Sequence, residues 1–475
     1  MTPRWVALVL AGALSGCAVG PDYRKPVVDL PATWAQAPSG VVTAEAASVA
    51  TWWRAFGDPV LDALVERAVA GSLDLRIATA RVREARALRG VAAGDRWPTI
   101  DASGLYNRVR DSENARPLPR GFDPNHDLFQ LGLDASWEVD VWGRVRRSVE
   151  AADATLASGV ENRRDVLVIL LAEVARNLVE VRTAQQRLVI ARNNIAAQRE
   201  IVDLSRVRRD AGLGTDVEVS QAQSLLLTTE AQVPALAVAR DQAIHRIAVL
   251  TGQPPGALLA ELRDAAPIPV GPPSVPVGLP SDVLRQRPDI RRAERDLAAA
   301  TARIGVATAE LFPRFSLTGM LGVSATEAAD LFTGSSRFFG IGPQVVWPVF
   351  AGGRIRSNIR VQEARQEAAL ANYEQTILGA LEETENALVA WGNERARKAQ
   401  LVEAADASRL ALGLSRELYV RGLADFLVVL DNQRAVYSIE DQLVQSDRTL
   451  AVALIALYKA LGGGWDSASA GEVSR

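Results

Sequence analysis

Residues 129–137 read FQLGLDASW, and apolar side chains alternate with polar or small ones along the whole stretch. Successive side chains of a β-strand point to opposite faces, so this pattern predicts a strand with one apolar and one polar face. Aromatic residues, Phe129 and Trp137, stand at the two ends. Strands of roughly ten residues with this composition are typical of β-proteins of the outer membrane. We therefore predict such a strand at about residues 127–137.

Three other segments alternate in the same way, at about residues 99–109, 314–324 and 338–348. Half-buried strands of a soluble sheet show the same alternation, so one segment alone would leave both interpretations open. Here the pattern recurs at matching positions of an internal repeat, in a chain whose N-terminus carries an export signal; both features are described below. This combination favours strands whose apolar faces contact lipid.

The repeat is visible when the two halves of the chain are aligned. Trp97-Pro98 corresponds to Phe312-Pro313, 215 residues later. The stretch WEVDVWGRVR (residues 137–146) corresponds to WPVFAGGRIR (residues 347–356), 210 residues later. Several anchors in one order, with offsets that differ by a short insertion, indicate an internal duplication.

The duplication gives the domain organisation. The first copy covers residues 58–252 and the second covers residues 281–465, with a Pro/Gly-rich linker at residues 253–280. Gly and Pro interrupt regular structure, so the linker is predicted to be irregular. The tail at residues 466–475 is predicted to be disordered.

Each copy has the same predicted plan of helix, two strands, one very long helix, a glycine turn and a shorter helix. Apolar residues spaced three and four apart run along the long helices, a spacing typical of coiled-coil packing. About 65 helical residues would reach roughly 100 Å at about 1.5 Å each. The predicted helices cover residues 58–95, 144–208 and 216–250 in the first copy, and residues 281–311, 354–419 and 426–461 in the second.

The N-terminus resembles a bacterial lipoprotein signal. Arg4 precedes a short apolar run, and Leu14-Ser15-Gly16 precedes Cys17. This arrangement predicts a signal peptide at residues 1–16 and a covalent lipid on Cys17, followed by an extended segment at residues 17–57. Cys17 is the only cysteine, so an intramolecular disulfide is excluded. Acyl chains would add membrane affinity of ~0.8 kcal/mol per buried methylene.

Four strands cannot close a barrel, and open strand edges are not tolerated in lipid. The chain must therefore oligomerise if these strands enter a membrane. Two copies would give eight strands, a size whose interior tends to fill with side chains. Three copies would give twelve strands and an open lumen, which suits the polar inward residues.

Composition excludes several other functions. Lys and Arg total 53 against 56 Asp and Glu, a net charge of −3, so no basic surface for nucleic acid is expected. We find no phosphate-binding glycine loop and no clustered metal ligands, and the two histidines, His126 and His245, fall in different parts of the plan. The chain is predicted to have no catalytic residues, no metal and no cofactor apart from the lipid.

Together these residues resemble the TolC-like outer membrane factors, in particular the lipoprotein branch (OprM-like and NodT-like) that works with resistance-nodulation-division (RND) efflux pumps. The similarity covers nearly the whole mature chain. The motifs that carry it are Gly20-Pro21-Asp22-Tyr23 after Cys17, Trp52-Trp53 with Asp58-Pro59, Leu279–Leu284 with Arg287–Ile290, Trp347–Phe350 with Gly352-Gly353, Tyr419 with Gly422, Phe426-Leu427 with Val429–Asp431, and Tyr458–Trp465.

The resemblance implies an α+β membrane protein that forms a homotrimer. Each protomer would give four strands to a twelve-stranded β-barrel and long helices to a periplasmic α-barrel, with a small mixed equatorial region. The implied function is a passive exit duct in the outer membrane. Its partners would be outer-membrane lipid, a periplasmic adaptor (membrane fusion protein) and an inner-membrane RND-type pump.

The resemblance also implies a gate at the tip, where Gly212 and Gly422 mark the turns between helices. In relatives, a Tyr and an Arg of one turn bond a carboxylate of the neighbouring tip. By analogy, Tyr419 and Arg421 would form this latch with Asp216 or Glu218.

A constriction inside that latch is implied at Asp431. Some relatives place two carboxylates three residues apart there, but this chain has Val428 at the second position. At most one acidic ring, and hence weaker cation binding, is expected.

Two alternatives remain at this stage. A duct for type I protein secretion would have nearly the same fold and site, although the lipoprotein signal favours efflux. A coiled-coil lipoprotein without a pore would share the helices and the anchor but would not explain the alternating strands.

Overall fold

A computed structural model describes residues 18–35, 42–43, 49–112, 114, 123–272 and 274–465. The predicted signal peptide, Cys17 and the predicted disordered tail lie outside the described residues. No helix within the described ranges is both long enough and apolar enough to cross a membrane.

The elements follow the order predicted for two repeats. The helices are α1 (Pro59–Gly71), α2 (Leu73–Gly94), α3 (Arg144–Asp210), α4 (Asp216–Glu230), α5 (Gln232–Leu250), α6 (Leu259–Leu262), α7 (Pro280–Gln286), α8 (Pro288–Ala309), α9 (Arg354–Val420) and α10 (Phe426–Ala460). The strands are β1 (Val42–Thr43), β2 (Thr99–Arg110), β3 (Asn125–Val139), β4 (Val275–Pro276), β5 (Arg314–Ala325) and β6 (Arg337–Val346). Short 3₁₀ helices lie at Val49–Phe56, Ala328–Asp330 and Gly334–Ser336. The predicted α+β fold is confirmed.

The chain divides into two compact units. The first contains Arg81–Val160 and Arg292–Tyr373 together with the described residues before Val28. The second contains Val28–Ala80, Glu161–Arg291 and the described residues after Tyr373.

The first unit holds a four-stranded antiparallel sheet in the order β2-β3-β5-β6. All four predicted strands are present, with β3 longer than expected at both ends. The two hairpins end alike, because the indole N–H of Trp137 donates to the Arg96 carbonyl and that of Trp347 donates to the Leu311 carbonyl, each at 3.0 Å. Arg96 and Leu311 are counterparts in the two repeats. The duplication therefore extends to individual hydrogen bonds.

Three predicted helices are each divided in two, and local chemistry explains the breaks. Arg287 precedes Pro288 and takes extended angles (φ −76°, ψ 121°), because proline disfavours the helical conformation of the residue before it. Ala231 separates α4 from α5, which places Pro234 in the first turn of α5, where its missing N–H costs no helical bond. Ser72 separates α1 from α2 with ψ 126°.

The linker is not wholly irregular, contrary to the prediction. It contains α6, and β4 pairs in parallel with β1. Short runs without a hydrophobic period, such as these, carry too little sequence signal to be recognised.

Along the long helices of the second unit, most of the apolar residues spaced three and four apart are buried, among them Leu171, Leu178, Leu188, Leu388 and Trp391. One ion pair occurs in both repeats, because Arg199–Glu230 (2.7 Å) and Arg409–Glu440 (2.9 Å) are counterparts 210 residues apart.

Motifs near the ends of the repeats close the core of the second unit. The rings of Trp52 and Tyr458 stack at 5.4 Å. The buried guanidinium of Arg287 donates to Asp289, to Glu383 at 2.8 Å and to the Ala460 carbonyl at 2.9 Å. These contacts give the Trp-Trp and Arg-Pro-Asp motifs structural roles.

The N-terminal segment of the first unit docks on α3 through Arg147, whose side chain is 5 % exposed. Its guanidinium binds Asp22 (2.6 Å) and Glu150 (2.8 Å) and donates to the carbonyls of Val19 and Gly20.

Contacts with α8 continue this docking. Gly20 lies directly on Gly305, where a Cβ would come within 2.5 Å of the Gly305 Cα. The Tyr23 hydroxyl donates to Glu294, and burial, followed by the Glu294 charge, raises the pKa of this hydroxyl to about 12. Lys25 pairs with Glu294 at 3.0 Å.

We predict that Arg147→Gln releases the N-terminal segment, because a neutral amide cannot replace the contacts with Asp22 and two carbonyls. Hydrogen–deuterium exchange of the amides of residues 19–25 should rise at least tenfold, the loss expected for ~1.5–3 kcal/mol of charged hydrogen bonding. Arg89→Gln, which breaks an exposed pair with Asp153, is the control. Equal protection in both variants would show that Arg147 does not hold the segment.

Candidate functional site at the two helix turns

The two turns of the second unit have the same backbone. Gly212 follows α3 with φ 74°, and Gly422 follows α9 with φ 75°, values that favour glycine. The N–H of Leu213 donates to the Arg208 carbonyl at 2.8 Å, and that of Leu423 donates to the Leu418 carbonyl at 2.9 Å. These bonds close the helix ends as Schellman motifs. The predicted turn glycines therefore occupy equivalent positions in the two repeats.

Tyr419 does not project freely from its turn. Its side chain is 2 % exposed and its ring lies 5.7 Å from the ring of Phe426. The surrounding buried cluster consists of Ile201, Val202, Ala222, Phe426, Val429 and Leu430. The tyrosine predicted to form the latch is thus part of the buried cluster that packs the two turns together.

The side chain of Arg208 packs against Tyr419. Its guanidinium carbon lies 4.6 Å from the ring centroid, and one of its nitrogens donates to the Tyr419 carbonyl at 3.4 Å. A cation over an aromatic face contributes about 0.5–2 kcal/mol, more when it is desolvated. Sequence reasoning missed Arg208, because this residue belongs to the other turn and lies far from Tyr419 along the chain.

The Tyr419 hydroxyl lies beside Ser205 and Glu218. Burial raises the pKa of this hydroxyl, and the Glu218 carboxylate raises it further, while Arg208 opposes the shift. Among the described residues, Tyr419 Oη, Ser205 Oγ and Glu218 Oε2 are buried without a hydrogen bond of good geometry. Buried polar atoms usually have hydrogen-bond partners, so these three atoms mark the least well satisfied part of the turn.

The other proposed latch residues make separate contacts. Arg421 pairs with Glu417, one turn earlier on α9. Asp216 pairs with Arg209 at 3.1 Å across its own turn. Within one chain, Glu218 is therefore the carboxylate that meets Tyr419, and Arg421 does not reach either Asp216 or Glu218. The latch between neighbouring tips stays a prediction.

Asp431 is exposed (73 % of its side chain) on α10, and Arg434 lies 3.4 Å from its carboxylate. Val428, one turn earlier, is half exposed on the same side. Asp431, the predicted acidic position, is therefore paired with a neighbouring cation. Sequence reasoning missed this pair, although residues three apart on a helix lie side by side.

Within the described ranges, no group of three or more His, Cys, Asp and Glu residues could hold a metal ion. The expectation that the chain has no metal and no catalytic residue stays a prediction.

Comparison with known proteins agrees with this architecture. The family described as outer membrane efflux protein matches residues 64–253 and 279–463. The pyoverdine export outer membrane protein OpmQ of Pseudomonas aeruginosa is 34% identical over 472 residues, covering 98% of both chains. The outer membrane protein OprJ of the same organism is 31% identical, covering 97% of this chain and 95% of OprJ. The structure of the outer-membrane channel OprN has a TM-score of 0.86 at 38% identity and covers 94% of this chain and all of that one.

A duplicated protomer with a small antiparallel sheet and two paired helix turns is the fold of the outer-membrane efflux channels. The chain belongs to the outer membrane efflux protein family.

We predict that Arg434→Gln strengthens block of the pore by Mg²⁺, because it leaves Asp431 without its neighbouring cation. An exposed pair contributes ~0.2–1 kcal/mol, so the blocking concentration should fall by a factor of roughly 1.4 to 5. Current through purified protein in planar bilayers measures this. Arg206→Gln removes the same charge from an exposed pair on α3 and is the control. Identical block in the two variants would place Asp431 outside the conducting path.

Proposed function

We propose that this chain is the exit duct of a tripartite efflux system. It conducts substrates passively from an inner-membrane RND-type pump and a periplasmic adaptor to the cell exterior. The observation that carries this proposal is that one chain combines two features. One is a sheet with one apolar face, and the other is a set of helix turns built around a buried tyrosine. The first suits passage through the outer membrane, and the second suits a gate.

The proposed assembly is a homotrimer. In the part of the chain that the structure describes, β2 and β6 each pair on one side only. An unpaired strand edge in lipid leaves backbone groups without hydrogen bonds, at several kcal/mol each. Three protomers give twelve strands, which close these edges and leave an open lumen.

The turns offer an apolar surface to the proposed adaptor. Leu213 and Leu423 occupy equivalent positions and are 68 % and 71 % exposed. Large exposed apolar side chains at matched positions are typical of protein–protein contacts. The proposed duct needs no catalytic residue and no cofactor other than the lipid, because the pump supplies the energy.

The proposed gate holds the turns closed through Tyr419. Arg208 and Glu218 of the adjoining turn hold the tyrosine within one chain, and contacts between neighbouring tips add the latch predicted with Arg421 and Asp216. Because Arg421 pairs with Glu417 of the preceding helix, its removal should matter less than that of Arg208.

We predict that wild-type protein has low resting conductance in planar bilayers and that Arg208→Gln raises it. Loss of about 1 kcal/mol of cation–π stabilisation per subunit changes the closed-to-open ratio by roughly fivefold per subunit. Arg421→Ser should give a smaller increase, and Arg206→Gln should give none. A gate that responds to Arg421→Ser but not to Arg208→Gln would contradict this arrangement, and protein that never conducts would contradict the duct.

The proposed localisation is the outer membrane, with a lipid anchor at Cys17. Support comes from the docked segment that follows it, because the Val19 N–H donates to the Trp142 carbonyl at 3.0 Å, directly after β3. The acylated Cys17 would then lie close to the end of β3.

We predict that Cys17→Ser abolishes acyl labelling of the protein in cells, because serine lacks the thiol that is acylated. The mature wild-type chain should begin at Cys17. Metabolic labelling with palmitate and mass spectrometry of the N-terminal peptide measure both. An unmodified N-terminus well beyond Cys17 would refute the anchor.

A further inference from the structure

A short stretch of the linker covers the helix pair of the first repeat. Leu258, which precedes α6, and Leu262, which ends it, are both buried. The side-chain amide of Gln185 on α3 donates to the Leu262 carbonyl at 2.6 Å. That of Gln186 donates to the Ala266 carbonyl at 2.9 Å, and α6 also contacts α5. A leucine-bearing turn of the chain's own linker therefore fills the groove between α3 and α5.

The helix pair of the second repeat has a cavity on the corresponding face. This cavity, the α9–α10 groove, has a volume of about 720 Å³ and is bordered by residues 267–272 of the linker. Arg395 lines it and is the counterpart of Gln185 at the repeat offset of 210 residues. Val270 and Val402 also line it and are exposed. Within the described ranges, the second repeat is thus open on the face that α6 covers in the first.

Substitutions between the repeats explain the open space. Ala399 and Val402 line the α9–α10 groove, whereas their counterparts on α3 are the larger residues Val189 and Arg192. The buried ring of Trp391 adds an aromatic surface to the lining. Concave apolar surfaces of this kind bind apolar groups. The groove therefore suits side chains such as the leucines beside α6.

The two helix pairs also differ in charge. Arg395 and Lys398 line the α9–α10 groove at the positions where α3 has the uncharged Gln185 and Leu188. The guanidinium of Arg395 lies 5.1 Å from the ring centroid of Trp391. Lys398 pairs with Asp447 of α10, so the lining carries two cations and one carboxylate. This excess of positive charge favours an acidic occupant.

We propose that the α9–α10 groove docks a partner protein through a short turn that carries leucines and a carboxylate. The segment around α6, with Leu258, Glu261 and Leu262, shows the type of sequence that fits. The leucines of the partner pack against Trp391 and Val402, and its carboxylate pairs with Arg395 and Lys398.

This surface is distinct from the helix turns proposed to contact the adaptor. Val402 precedes Tyr419 by 17 residues on α9, which corresponds to about 25 Å at about 1.5 Å per residue. The proposal therefore goes beyond the proposed function and does not depend on it.

The chain's own tail is a weaker match to the groove. Residues 466–475 follow α10 in the sequence as the segment of α6 follows α5, but they read DSASAGEVSR and contain no leucine. They cannot supply the two large apolar side chains that fill the groove of the first repeat. A partner protein is therefore the occupant that we infer.

Peptide binding tests the groove. The probe is a labelled peptide with the sequence of residues 256–265 (GALLAELRDA), and a matched peptide carries Glu261→Lys. Full-length protein is reconstituted in nanodiscs, so that no free detergent competes, and fluorescence anisotropy measures Kd. We expect the matched peptide to bind at least about fivefold more weakly, because it presents a cation to Arg395 and Lys398.

Two pairs of variants locate the bound peptide. Ala399→Trp fills the groove, whereas Ala396→Trp adds the same bulk at an exposed position of α9 outside the lining. Only Ala399→Trp should weaken binding, by at least about tenfold, because it excludes the apolar anchor. Arg395→Glu should reverse the preference between the two peptides. Arg397→Glu, which breaks a pair with Glu394 outside the groove, should leave that preference unchanged.

Equal binding to Ala399→Trp and Ala396→Trp would place the peptide elsewhere and overturn the proposal. An unchanged preference in Arg395→Glu would overturn the recognition of a carboxylate. Stronger binding after removal of residues 466–475 would make the chain's own tail the occupant instead of a partner. Absence of binding to the parent chain would also overturn the proposal, and protection of Ala399→Cys from a thiol reagent would then identify a neighbouring copy as the cover.

Discussion

Backbone hydrogen bonding is the constraint on which the rest of this structure depends. Every N–H and C=O group of a strand in lipid needs a protein partner, because no water is present to replace it. One chain supplies four strands and leaves an edge on each side. If these strands lie in lipid, as proposed, the chain can complete its membrane domain only by association with other copies.

Because of the duplication, each repeat of the chain supplies one of the two hairpins of the sheet. Backbone features are copied closely, as shown by the matched registers, by the Trp137 and Trp347 bonds, and by the two glycine turns. Side chains at the turns have diverged, so that Arg209 occupies the position equivalent to Tyr419. The copied features are the backbone contacts of the strands and of the helix ends. The diverged side chains lie where a gate would act.

Strong periodic signals made the fold predictable from the sequence. Alternation identified the four strands, and spacing of three and four identified α3 and α9, whose observed ends at Asp210 and Val420 lie within two residues of the predicted ends. The breaks at Ser72, Arg287 and Ala231 were missed, because helical periodicity continues across a single residue whose angles depend on a neighbouring proline or on tertiary contacts. β1 and β4 were missed because two residues carry no period.

The site was less predictable, for a different reason. The sequence placed Tyr419, Asp431 and the glycine turns, but side-chain partners across two turns depend on helix rotation, which sequence spacing does not fix. Arg208 and Ser205 come from the opposite turn, some 210 residues away along the chain, and therefore gave no local pattern around Tyr419. Arg434 was within reach of the sequence, since a cation three residues after Asp431 on a helix is a local pair.

The divergence of the two turns has a consequence for genetics. If each repeat were a separate gene product, six identical subunits would surround the pore and every gate mutation would act six times. Fusion of two repeats into one chain allows half of the six turns to change while the other half keeps its original contacts. A substitution at Tyr419 therefore alters three alternate positions of the proposed ring, and the three turns that carry Arg208 can change independently to compensate for it. Suppressors of gate mutations should accumulate in the opposite repeat, about 210 codons away.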